Sequence, residues 1–279
     1  MQRFKVENHE DSLLPEGKKW KMVWNDEFDG TELDTSKWDY RLSMMGQKWL
    51  AWTDEGGIEL DGKSNAVFTL IEKDGRPVSV QLQTGYNYMD EPVVKTKFGN
   101  DALQWNVGKL HENKFTHRYG YYECRCKLQQ KPGWWSAFWM QSPMIGASLN
   151  PADSGTELDI MECFNPGDIA PHNAFTGGYG LDMKREKVGG MDNIDKDEYH
   201  YFGLLWDKNG YTFYIDGVEN GHISKYVSHI PEFILISTET NGYRNEDRKP
   251  TEEALAAIGD KFYVDHVRVF DMVGDDDDE

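Results

Sequence analysis

The chain has 279 residues, enough to bury a substantial core, and a β-sandwich of this length can form a single domain. Lys and Arg total 30 against 49 Asp and Glu, and a net charge of −19 argues against a nucleic-acid backbone or an anionic membrane as partner. Residues 1–17 contain no signal-like apolar run and no later stretch is long enough to span a bilayer, so an extracellular or periplasmic location is expected only if a signal peptide has been removed, and a cytoplasmic one otherwise.

Helical periodicity is almost absent along the chain, and β-branched and aromatic segments bounded by Gly, Asp, Asn or Pro recur instead. In chain order these fall at residues 20–26, 66–72, 78–84, 118–128, 136–141, 158–164, 199–207, 210–215, 233–239 and 262–271. Two turns, at Lys208-Asn209-Gly210 and Asp216-Gly217, can reverse the chain between strands. The one helical pattern is 251–258, TEEALAAI, with Thr251 as N-cap. Ten or more short strands predict an all-β, antiparallel sandwich over residues 1–274, followed by an acidic, disordered tail at 275–279. The three cysteines, Cys124, Cys126 and Cys163, suit neither a disulfide framework nor zinc, and read as small buried residues. Ten Trp, fourteen Tyr and thirteen Phe serve a β-rich core or a sugar-stacking cleft.

The segment GTELDIMECF carries the chemistry, since it sets three carboxylates within six residues of an otherwise apolar strand. Charges so placed must face water, pair or react. Alternation puts Glu157 and Asp159 on one face and leaves Glu162 out of phase by one. A β-bulge near Ile160 or Met161 is therefore predicted, returning Glu162 to the polar face. Two carboxylates on one face meet the need of retaining glycoside hydrolysis, which holds its pair about 5 to 5.5 Å apart. A neighbouring Asp159 can hold their pKa values apart. A calcium site and a solvated edge strand are the competing readings of the same three acids.

At this motif the sequence resembles glycoside hydrolase family 16, the laminarinase, lichenase, agarase and carrageenase group. The E-x-D-x-x-E pattern matches Glu157, Asp159 and Glu162. WNDEFDGTELDTSKW (24–38), RYGYYECRCKLQQKPGWWSAFWM (118–140), HYFGLLWDKNGYTFYIDG (200–217) and KFYVDHVRVF (261–270) are similar to further family segments in the same order. The resemblance implies a concanavalin A-like jelly roll of two antiparallel sheets with a concave substrate cleft. It implies a retaining endo-acting hydrolase of internal β-glycosidic bonds, with Glu157 as nucleophile, Asp159 assisting it and Glu162 as acid/base. The substrate expected is a polysaccharide, first a β-1,3 or mixed-linkage glucan. An agar-type or carrageenan-type galactan, or a non-catalytic carbohydrate-binding sandwich, is the alternative. Trp139 is the foremost sugar-platform candidate, with Trp134, Trp135, Trp49 and Trp52 as further substrate contacts. His172 is nominated to face the acid/base, with Thr176 as the other occupant of that place. Arg244 and Arg248 are candidates for a sulfate group. No cofactor is required; a structural calcium, as some members bind, would nominate Asp265 and Glu27. The enzyme is expected to act as a monomer. The segment 141–156, QSPMIGASLNPADSGT, departs from the family by its length and its lack of tryptophan.

Overall fold

The computed structural model describes residues 1–44, 47–90 and 111–274; the expected acidic tail lies outside them. Two antiparallel sheets face each other. The first runs in the order Lys184–Val188, His172–Thr176, Glu157–Cys163, Trp134–Gln141, Phe233–Thr240, Gln81–Gln83, Asp39–Tyr40. The second runs Val218–Ile223, Gly210–Ile215, His200–Asp207, Gly120–Lys127, Lys261–Val273, Ala66–Thr69, Ile58–Leu60, and Lys19–Asp26 also pairs with the long strand Lys261–Val273. This is the jelly-roll sandwich that the sequence predicts.

Strand alternation builds the core. Tyr122, Cys124 and Cys126 point inward from one sheet, and Phe138, Met140, Leu158, Ile234 and Ile236 from the other. The cysteines are free and buried. Asp216 and Gly217 both have positive φ, 49° and 76°, as a tight hairpin between Gly210–Ile215 and Val218–Ile223 requires. The helix forms at Glu252–Ala256, and the Thr251 side chain accepts from Ala254 N as its cap. The segments at 66–72 and 78–84 each split into two short strands, and His172–Thr176 and Lys184–Val188 are strands that their composition does not announce.

The nominated calcium ligands have other work. Glu27 receives a two-pronged hydrogen bond from the buried Arg268, at 2.8 and 2.6 Å. Asp265 pairs with Arg125 at 3.0 Å and with His266 at 3.1 Å. Each acid is thus neutralised by a different arginine, and among the described residues no group of three or more His, Cys, Asp or Glu is placed to hold a metal ion. The amino-terminal hairpin, Gln2–Phe4 with Ser12–Leu14, covers this outer face: Leu13 N donates to Glu123, and Arg268 donates to Glu10 O and Ser12 Oγ.

The segment 142–156 closes on itself through Ser142 N to Thr156 O, 2.9 Å, and contains the single helical turn Pro151–Ser154. Glu232, fully buried, accepts from Thr156 N at 2.8 Å and Thr156 Oγ1 at 3.0 Å, and so fixes the entry to Glu157. Burial pushes the Glu232 carboxyl up to about 7, despite the hydrogen bonds from Thr156 that favour its charged form. A folded-state value above the ordinary one means stability that is full below about pH 4.5 and is lost as the pH rises through about 7. Heat denaturation is therefore expected to show a falling Tm between about pH 5 and pH 8. Glu232→Gln should flatten that fall, recovering about 2 to 3 kcal/mol at the alkaline end.

Candidate active site

The strand Glu157–Cys163 contains the expected bulge, at Ile160. Against Trp134–Gln141 the register steps from Asp159 opposite Trp139 to Met161 opposite Phe138, skipping Ile160. Ile160 and Met161 both enter the core, fully buried, and Glu162 is returned to the face of Glu157 and Asp159. The three acids line one cleft of about 250 Å³.

Register fixes their neighbours in three rows across the sheet. Gln81, Ser237, Ala137 and Glu162 form one row; Gln83, Leu235, Trp139, Asp159, Asn173 and Lys187 form the next; Phe233, Gln141, Glu157, Phe175 and Arg185 form the third. Ala137 is the small residue between Trp135 and Trp139 on one strand face, and it leaves open space opposite Glu162.

Glu157 is held by donors. Gln141 Nε2 donates at 2.8 Å, and the Tyr179 hydroxyl donates to the same oxygen. Gln141 is oriented in turn by Arg41 Nη1 and Asn87 Nδ2, at 2.9 and 2.8 Å to its Oε1, and buried Arg41 is anchored on Asp90 at 2.7 and 3.0 Å. Burial raises the pKa of Glu157, while Tyr179, Gln141, and the charges of Arg41 and Arg244 oppose the rise. Glu162 differs: burial and the negative charge of Glu157 push it up to about 7. Asp159 rises well above its ordinary value through burial and the charges of Glu162 and Glu157. Asn173 Nδ2 reaches Asp159 at 3.0 Å and Glu162 at 3.4 Å. The site thus separates a donor-stabilised carboxylate from a carboxyl that titrates near neutrality.

Trp139 lines the cleft, with Nε1 on Ser237 Oγ at 2.9 Å. Trp135 also lines it, beneath the Arg244 guanidinium at 5.2 Å and beside Phe164 at 5.4 Å. Trp52 forms a shared wall between the cleft and an adjoining hollow that contains Trp49. Arg248 sits over Trp49, outside the cleft lining. Three nominees face the interior. Trp134 alternates with Trp135 and points into the core, where Nε1 donates to Asp260 at 3.0 Å. His172 likewise faces inward, stacked on Phe213, because alternation gives the cleft face to Asn173 and Phe175; Thr176 is buried on the inner side with it. Sequence reasoning missed Gln141, Asn173, Phe175, Tyr179, Arg41 and Glu239. The first was legible, two positions from Trp139 on the same strand.

The site is thus a bulged strand of acids in an aromatic-walled cleft of a jelly roll. The chain belongs to glycosyl hydrolases family 16, whose model matches residues 69–247, more than half of the sequence. It is 28% identical over 204 residues to the glucan endo-1,3-beta-glucosidase A1 of Niallia circulans, covering 70% of this chain and 28% of that protein. The chain therefore spans under a third of the length of that relative. It is 27% identical over 302 residues to the beta-porphyranase B of Phocaeicola plebeius, covering 93% of this chain and 87% of the other. Its fold is similar to that of the laminarinase from Rhodothermus marinus, with a TM-score of 0.64 at 19% identity, over 92% of this chain and all of that one.

The donors on Glu157 generate a test. Removing one, by Tyr179→Phe or Gln141→Leu, withdraws a hydrogen bond that favours the carboxylate and so raises its pKa. The acidic limb of the kcat/KM profile is expected to move to higher pH, with a loss of about tenfold at its acidic end.

Proposed function

We propose that the protein is a retaining, endo-acting glycoside hydrolase of a neutral β-1,3 or mixed-linkage glucan. The observation that carries this reading is the placement of Glu157, Asp159 and Glu162 on one cleft face by the bulge at Ile160. Glu157 attacks the anomeric carbon while Glu162 gives its proton to the departing glycosidic oxygen, leaving a glycosyl ester on Glu157. Glu162 then takes a proton from water, which attacks the anomeric carbon and frees Glu157. Asp159, with its pKa raised between the two glutamates, hydrogen-bonds to Glu162 and accepts from Asn173.

The preference for a neutral chain rests on the cations of the cleft lining. Arg41 is paired with Asp90, and Arg244 is forked onto Glu239 by two bonds of 2.7 Å. Arg244, nominated for sulfate, is thereby already neutralised. A second reading has its own support at the open edge of the sheet. Arg185, over the Phe175 ring at 5.6 Å, and Lys187 are exposed in the rows of Glu157 and Asp159; neither forms a close ion pair among the described residues, and the charge of Arg185 acts on Glu162. Such a pair suits the sulfate of a galactan, and similarity to a beta-porphyranase agrees with it.

Reducing-end release from laminarin, mixed-linkage glucan, agarose, porphyran and carrageenan decides between them. The two glucans are expected to be cut, and Glu157→Gln to lower the rate by about 10⁴-fold or more. Cleavage of porphyran or carrageenan alone establishes the second reading. No cleavage, or a fully active variant, overturns both. On the polysaccharide, activity should rise as Glu157 ionises and fall as Glu162 deprotonates through about pH 7. Glu162→Gln should abolish that alkaline limb.

A further inference from the structure

The extra residue of the acid strand lacks a cross-strand partner. Pairing with Trp134–Gln141 skips Ile160, and pairing with His172–Thr176 stops at Asp159 opposite Asn173. Its carbonyl lies in the interior and needs a donor. His172 supplies one: Nδ1 stands 2.8 Å from Ile160 O, and since a carbonyl only accepts, Nδ1 carries the proton. The ring has little freedom. It lies parallel to Phe213, 4.5 Å between centroids and 5° between planes, and is 1% exposed. Its other nitrogen lies 2.9 Å from Asn220 Oδ1, which also only accepts, so both contacts are hydrogen bonds together only when the ring carries a proton on each nitrogen.

His172 and Asn173 are neighbours in the chain and grip the acid strand from opposite faces. Asn173 holds the carboxylates of Asp159 and Glu162 in the cleft, and His172 holds the bulge carbonyl in the core. The bulge alone places Glu162, two residues beyond Ile160, on the cleft face. We propose that His172 is a positioning residue for Glu162, acting through the Ile160 carbonyl to keep the bulge closed. This rests on the reading of Glu162 as the acid/base, and it requires His172 to affect acid/base assistance selectively, without touching substrate.

Two substitutions separate this role from general stability. His172→Asn keeps an N–H near the place of Nδ1, whereas His172→Gln moves its amide toward the place of Nε2; both remain polar. Each is assayed, as the full chain, on the polysaccharide and on a 2,4-dinitrophenyl β-glycoside of the matching disaccharide, whose phenolate leaves without a proton. The Gln variant is expected to lose about tenfold or more in kcat/KM on the polysaccharide. On the aryl glycoside its kcat/KM should stay within about twofold, because the first step needs no acid. Azide should raise its aryl-glycoside kcat, since the anion attacks the glycosyl ester without a base and releases Glu157 as carboxylate. The Asn variant should behave as the unaltered protein. Equal losses on both substrates, no loss on the polysaccharide, or a Gln variant indistinguishable from Asn overturns the role of His172. An unaltered protein that cuts no glycan overturns the reaction itself.

Discussion

A β-strand gives alternate residues to opposite faces, and the acid strand breaks that rule once. Ile160 and Met161 are consecutive and both buried, so everything before them keeps one phase and everything after keeps the other. Regular pairing would drive Glu162 into the layer of Phe138, Phe202 and Leu204, where an ionisable group has no partner. The cleft, the separation of carboxyl pKa values and the order of the flanking rows all depend on this one-residue offset.

Around the offset the electrostatics are asymmetric. Glu157 stands at the end of a relay from Asp90 through Arg41 and Gln141, with Tyr179 as a second donor, so its charge is solvated by fixed protein dipoles. Among the described residues Glu162 has only a long hydrogen bond from Asn173 and one with Asp159, and it sits in the field of Glu157. Two chemically identical side chains thus acquire different working states from their surroundings. Burial raises both, and the count of donors decides which one ionises first.

Local pattern carried a large share of this in advance. GTELDIMECF alone shows three acids whose spacing cannot fit regular alternation, and the bulge follows from that mismatch. The sandwich follows from strands such as Gly120–Lys127 and Gly210–Ile215, whose composition and turns are unambiguous. The corrections at Trp134 and His172 share one cause, the assignment of a face. Trp134 and Trp135 are equivalent in composition, and only the phase of their strand decides that one enters the core and the other the cleft. His172 and Thr176 are nominated without a register for HNAFT; once its phase is fixed, Asn173 and Phe175 share the cleft face and His172 and Thr176 do not. Glu27 and Asp265 were open to a metal until Arg268 and Arg125 arrived from strands far off in sequence. Arg41 and Tyr179 lie outside the recognised patterns, since their contact with the site exists only after distant segments meet.

The long strand Lys261–Val273 lies in the middle of the second sheet, bonded to Gly120–Lys127 on one side and to Ala66–Thr69 and Lys19–Asp26 on the other. All of its partners are synthesised before it. While the ribosome is still making the earlier strands, that sheet is two unjoined halves with open edges, and the apolar inner faces of Tyr122 and Phe68 have no continuous layer to complete. The order of translation therefore leaves that sheet in two parts until its central strand has emerged.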